Sequence, residues 1–206
     1  MKQDGEVKVV IFDLNGTFYN KSSKEEFYKF ILKKRPNRLK YVFEMSYYYV
    51  KMKLNKIQQT EFKENFFNYL DGLPPAKVEE YAREFWAQEF PEEFNKELKK
   101  IFDDLKKSET LLFCATGGFE LYVKPLFDLY EIDGLVGTQV EYDGKTYKVI
   151  GEACKEEEKI KRIRKLLNGK SFRIVEAYSD SKEVILDKAE KAFLIKDKKI
   201  LPYNGS

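Results

Sequence analysis

Hydrophobic positions follow two different periods along the chain. Val7–Phe12 is an apolar run rich in β-branched residues, broken only by Lys8, and it ends at Asp13 and the turn signal Asn15-Gly16. That pattern predicts a buried parallel strand. Over residues 22–107 the apolar positions recur at helical spacing instead: Phe27, Phe30 and Ile31; Phe62, Phe66, Phe67 and Leu70; Val78, Tyr81 and Phe85; Phe94, Leu98, Ile101 and Leu105. Breaks at Pro36, at Asp71-Gly72 with Pro74-Pro75, and at Pro91 divide the stretch into four or five helices. Strand character returns at 111–115, followed by Thr116-Gly117-Gly118 and an expected helix over 119–130. Residues 139–142 and 146–150, around Asp143-Gly144, read as a hairpin, and 159–167 as an amphipathic helix. A strand over 172–178 ends at Ser179-Asp180-Ser181, and a short helix and a last strand near 193–195 follow.

One strand, a large helical insertion and then alternating strands and helices imply an α/β fold. The expectation is a doubly wound, Rossmann-like parallel sheet formed by 1–20 and 108–206, with 21–107 as an inserted all-helical cap. Ligands of such sheets bind at the carboxyl ends of the strands. Three strands end there in polar groups, at Asp13-Leu14-Asn15-Gly16-Thr17, Thr116-Gly117-Gly118 and Ser179-Asp180-Ser181. Together they would bring two carboxylates, hydroxyls and free backbone N–H groups to one edge, a set suited to Mg²⁺ and a phosphate.

Composition narrows the chemistry. With 43% hydrophobic and 35% charged residues in 206, the chain reads as globular, neither disordered nor polytopic in a membrane. The formal charge of +3 is too small to argue for nucleic acid. The complete lack of histidine removes Ser-His-Asp and Cys-His catalysis and imidazole metal sites, leaving carboxylates, Lys, Ser/Thr and backbone groups. Two cysteines, Cys114 and Cys154, make neither a disulfide framework nor a zinc site. No secretory leader is recognisable near Met1, so a cytoplasmic location is expected. Residues 39–54 are aromatic and apolar, but Lys40, Glu44, Lys51 and Lys53 interrupt them. They cannot span a bilayer, and weak contact with a membrane surface is the most they suggest.

Four segments in order resemble the motifs of the haloacid dehalogenase (HAD) superfamily of aspartate-nucleophile phosphohydrolases. The similarity is to the phosphoserine phosphatase-like branch with a helical cap. The run ending in FDLNGT resembles the first motif, LLFCATGGF the second, CKEEEK the third and YSDSK the fourth. FDLNGT, ATGG, CKEEEKI and YSDSK, with KKRP after the first cap helix, are especially similar to bacterial phosphatidylglycerophosphatase C proteins. The resemblance implies that Asp13 is the nucleophile, that Thr116 and Gly117 bind the phosphoryl group, and that Lys159, or alternatively Lys155, offsets its charge. It implies Mg²⁺ held by Asp13, the backbone carbonyl of Asn15, Asp180 and a further acid, Glu183 or Asp187.

Two positions depart from the pattern. The second Asp of the first motif, the proton carrier, is Asn15, and an acid expected four residues after Asp180 is Val184. An amide cannot exchange protons at neutral pH, so general acid/base catalysis should be lost while phosphate and metal still bind. The implied activity is a Mg²⁺-dependent phosphomonoesterase, impaired at Asn15, acting on a small phosphorylated metabolite or a phospholipid headgroup. The alternative is a non-catalytic phosphate-binding or regulatory protein that retains the fold.

Overall fold

In the computed structural model, which describes residues 6–205, the first strand is the middle of everything that follows. Strand β1 (Val7–Phe12) has Val9 to Phe12 fully buried because both faces of the sheet are covered. On one side it pairs in parallel with β2 (Leu111–Phe119), which pairs with β3 (Gly134–Thr138). A small antiparallel hairpin, β4 (Val140–Tyr142) and β5 (Tyr147–Val149), stands apart. On its other side β1 pairs in parallel with β6 (Phe172–Ser179), followed by β7 (Ala189–Lys196) and an antiparallel edge strand, β8 (Lys199–Tyr203). The order β3-β2-β1-β6-β7-β8 reverses direction at β1 and β6, which makes their carboxyl ends the crevice of the sheet.

Between β1 and β2 lie α1 (Ser23–Lys34), α2 (Tyr41–Lys53), α3 (Gln59–Phe66), α4 (Pro75–Glu89) and α5 (Lys96–Leu105). They share one hydrophobic cluster but meet different parts of the sheet. The Phe102 ring of α5 packs 4.7 Å from Phe12 and 5.5 Å from Tyr178, directly on the sheet. Helices α1 and α4 reach the region after β2 instead, through Phe27 stacked 5.0 Å from Tyr122 and through the Trp86 indole N–H donating to the Tyr122 carbonyl at 2.6 Å. The opposite sheet face is covered by α7 (Glu157–Leu166), whose Ile160 and Ile163 pack among Val9, Ile11 and Ile174.

Three elements differ from the sequence reading. The helix expected over 119–130 is only α6 (Glu120–Val123) followed by a 3₁₀ turn, Lys124–Asp128, because Pro125 has no N–H to continue an α-helix. Strand β3 has little strand signal, with Gly134 and Gly137 in five residues; a Cβ at Gly134 would collide with the Phe113 ring. Strand β8 contains Pro202, which argues against a central strand and is accommodated here only because the strand is at the edge.

Candidate active site

The side chain of Asp13 emerges where β1 ends, and its backbone N–H donates to the Tyr178 carbonyl at 2.9 Å. That bond ties the ends of β1 and β6 together and brings Asp180, two residues on, to the same edge. The turn between them needs glycine twice over. Gly16 has φ +68°, and a Cβ there would run into the Asp180 carboxylate. The Asn15-Gly16 turn therefore lets Asp180 close on the β1 loop.

Lys159 is the cation of the site. It belongs to a helix dense in Lys and Glu, yet it is 2% exposed, on the same inward face as Ile160 and Ile163. Its ammonium donates to the Asp13 carboxylate at 2.9 Å and to the Glu183 carboxylate at 2.5 Å. Burial works to lower its pKa, but Asp13 and Glu183 outweigh burial and raise it, so Lys159 stays charged.

Asn15 uses its side-chain carbonyl to accept the backbone N–H of Ser23 at 2.7 Å, satisfying one of the donors that the first turn of α1 cannot pair internally. Thr116 is fully buried and its hydroxyl accepts the Gly118 N–H at 3.1 Å. Gly117 and Gly118, rather than Thr116, line the opening. Asp13, Asn15, Lys159, Asp180 and Glu183 share one cavity of about 500 Å³ with Gly117. Lys155 also lines it, whereas Asp187 accepts the Tyr203 hydroxyl at 2.9 Å and does not.

Whether these residues suit Mg²⁺ can be read from their charges. Burial, and then the neighbouring Asp13, raise the pKa of Asp180, as two facing carboxylates should, while Lys159 opposes the shift. Among the described residues no three acidic, Cys or His side chains gather around one point, and Glu183, expected as a ligand, is instead held by Lys159. Mg²⁺ is commonly bound by one or two carboxylates with waters and substrate oxygens completing the shell, so Asp13 and Asp180 fit it without Glu183.

Among the cavity residues that the sequence analysis does not single out are two lysines of the inserted helices, Lys24 of α1 and Lys63 of α3. Lys63 is almost fully buried and donates to the Gly117 carbonyl and, at 3.1 Å, to the Thr138 hydroxyl. Its signal was in the sequence: position 63 shares a helix face with Phe66, Phe67 and Leu70, where a lysine is out of place.

A strand-end carboxylate, a buried lysine paired with it and a second strand-end carboxylate thus meet at the switch point of a doubly wound sheet. The model of the haloacid dehalogenase-like hydrolase family matches residues 10–183, and the chain belongs to that family. A Bordetella pertussis Tohama I protein described as of unknown function is similar in structure. Its TM-score is 0.76 at 15% identity, over 91% of this chain and 89% of that one. A phosphoserine phosphohydrolase-like protein from Francisella tularensis gives 0.60 at 21% identity, over 90% and 86%. A phospho-aspartyl intermediate analogue of phosphoserine phosphatase gives 0.58 at 18%, over 91% and 86%. These likenesses show the shared fold. No curated protein matches the chain in sequence.

Proposed function

We infer that the chain is a phosphomonoester hydrolase that works through an aspartyl-phosphate at Asp13 and depends on Mg²⁺. Its substrate is a small phosphorylated metabolite or a phospholipid headgroup, met in the cytoplasm, and its turnover is held down by Asn15. The observation that carries the reading is the buried Lys159 ammonium shared between Asp13 and Glu183 beside Gly117. A buried lysine so placed orients the Asp13 carboxylate and offsets the charge of an incoming phosphate. Asp13 attacks phosphorus, the Oδ–P bond forms as the P–O bond to the leaving alkoxide breaks, and that alkoxide must take up a proton. Water then attacks the same phosphorus, loses a proton, and frees phosphate and Asp13. Gly117 and Gly118 border the phosphoryl position. Asp13, Asp180 and the backbone carbonyl of Asn15 would hold Mg²⁺, which when bound neutralises charge on the phosphoryl oxygens.

Both proton transfers fall to the position of Asn15. Asn15→Asp keeps an acceptor for the Ser23 N–H and adds the missing proton carrier, so turnover of an aryl phosphate with Mg²⁺ should rise by roughly 10² or more. The non-catalytic reading is favoured by one observation, an amide at position 15 and an apolar Val184 where the motifs carry acids. It becomes the better account if freshly prepared Asn15→Asp protein binds phosphate but stays inert across a broad panel.

The membrane reading has its own support. No helix among the described residues is long and apolar enough to cross a bilayer. Leu39, Phe43, Tyr47, Val50 and Leu54 nevertheless follow one another at spacings of three and four, and all are exposed, Phe43 at 81%. Lys40, Lys51 and Lys53 flank this stripe, a combination that suits weak, salt-sensitive contact with an anionic lipid surface.

A further inference from the structure

The cavity at Asp13 extends well past the space a phosphoryl group fills, and its far wall comes from the inserted helices: Lys24, Met52, Phe62, Lys63 and Phe66. Resting on the phosphohydrolase reading, we propose that the substrate carries, besides its phosphomonoester, a second anionic group, a carboxylate or a phosphate, which Lys24, Lys63 and Lys155 bind.

Positive charge on this wall is unmatched. Lys63 is 6% exposed, and both acceptors of its ammonium, the Gly117 carbonyl and the Thr138 hydroxyl, are neutral. A buried ammonium without a counter-ion is costly unless something anionic completes the site. Neither Lys24 nor Lys155 has an ion pair among the described residues, while the other lysines of this cavity are neutralised: Lys159 by Asp13 and Glu183, Lys21 by Glu89 at 3.0 Å and Glu93 at 3.2 Å. The surplus positive charge is therefore confined to one side of the cavity.

The three lysines also converge. A Cβ built on Gly117 would stand 3.1 Å from Lys63 Nζ and 3.9 Å from Lys155 Cε, so both side chains hang over the same turn. Lys24 Nζ lies 5.3 Å from the Phe66 ring centre and 5.9 Å from that of Phe62. These rings give a short carbon spacer an apolar wall between the two anions. The groups strain against one another as they stand. Burial first, then Lys155, Lys159 and Lys24, push the pKa of Lys63 down to about 7, with Cys154 acting the other way. Burial lowers that of Lys24 too, with Lys155 and Lys53 adding to the shift and Glu25 opposing it. An anion among them reverses that repulsion.

A lysine so close to Gly117 could instead hold the phosphoryl group itself, and the test separates the two roles. Ethyl phosphate and 2-phosphoglycolate differ only by a methyl against a carboxylate, as do propyl phosphate and 3-phosphopropionate. Calorimetry on the full chain with Mg²⁺ should show the carboxylate member of at least one pair binding about tenfold tighter or more, the size of a charged hydrogen bond. The preference should collapse in Lys63→Met, shrink in Lys24→Met and survive in Lys63→Arg. The proposal is overturned if the parent shows no preference in either pair, if the preference persists in both methionine variants, or if Lys63→Met weakens both members of each pair alike. Should Lys63→Met fail to fold, Lys24→Met alone decides. The phosphohydrolase reading fails separately, if Asn15→Asp does not turn over p-nitrophenyl phosphate, and the binding preference is read regardless of that outcome.

A soluble acid phosphate and a lipid headgroup with an internal phosphodiester share this chemistry. Glycerophosphoglycerol phosphate with and without dihexanoyl chains separates the sources. Binding of either that depends on Lys63 supports the proposal, and tighter binding of the acylated form assigns the lipid.

Discussion

Replacing Lys159 by Met tests the site independently of any substrate. The substitution keeps an unbranched side chain that fits beside Ile160 and Ile163 but removes the ammonium that joins Asp13 at 2.9 Å to Glu183 at 2.5 Å. Both carboxylates are then stranded, Asp13 in a buried position and Glu183 in a partly exposed one. Removing one partner of a buried ion pair costs about 3–5 kcal/mol. Because Glu183 retains some solvent, the lower end, about 3 kcal/mol, is expected. For a chain of this length that corresponds to a fall in Tm of roughly 6–12 °C. The assay is thermal and urea unfolding of parent and variant, with EDTA present so that no cation substitutes for the lysine. Two features of the result are diagnostic. Adding Glu183→Gln to Lys159→Met should recover part of the loss, because one stranded carboxylate is gone, so the two changes combine with opposite signs. Lowering the pH should narrow the gap. Burial already raises the pKa of Glu183, and the penalty of its charge disappears once both folded and unfolded chains are protonated. A loss below about 1 kcal/mol, the range of an exposed pair, would refute the claim that this lysine is held by its charge.

The remaining expectations address other parts of the molecule. Lys63→Met should stabilise the chain at pH 6. The parent should gain stability as pH rises from about 7 towards 10, where the unfolded chain still holds the proton that buried Lys63 has released, and the variant should lack that gain in pH-dependent unfolding. Mg²⁺ should raise Tm, and Asp180→Asn should remove most of the rise in a thermal shift titration; an unchanged rise would place the metal elsewhere. Phe43→Ser together with Tyr47→Ser should abolish sedimentation with anionic vesicles at low salt while leaving Tm within a few degrees, since both side chains are exposed.

The sequence was most informative where one residue type allows one explanation. An apolar run stopping at Asp13 before Asn-Gly is a buried strand meeting a functional edge, and β1 occupies the centre of the sheet. Asp180 follows from the same logic at the end of β6. Lys159 was different. In a helix crowded with Lys and Glu the inward lysine is hard to pick out, and the resemblance to a motif is what singles it out. Position 163, four residues on, is the physical clue, because Ile160 and Ile163 define the buried stripe that Lys159 borders. The choice between Glu183 and Asp187 could not be made from spacing, since a four-residue helix, α8 (Val184–Asp187), turns Asp187 towards Tyr203. Strands β3 and β8 escaped because glycine and proline suppress local strand signal where tertiary pairing supplies it.

The Asn15 side chain has a structural role of its own. Its amide oxygen holds the first turn of α1 through the Ser23 N–H, and the Ser23 hydroxyl lies 3.1 Å from that of Tyr122, whose ring stacks on Phe27 of the same helix. A side-chain carbonyl of the β1 loop thus helps to hold the start of the inserted helices, while Tyr122 lines the cavity beside Gly118. Asparagine and aspartate supply this acceptor equally, and a carboxylate at a helix N-terminus is if anything slightly better, by about 0.3–1 kcal/mol. An amide at this position therefore preserves the contact between the β1 loop and the inserted helices and, on the proposed chemistry, lacks only proton exchange. Alanine would lose both. On this reasoning Asn15→Ala should loosen α1 against the turn and disturb the placement of Lys24, one residue beyond Ser23. Asn15→Asp should leave every contact in place and change only the chemistry.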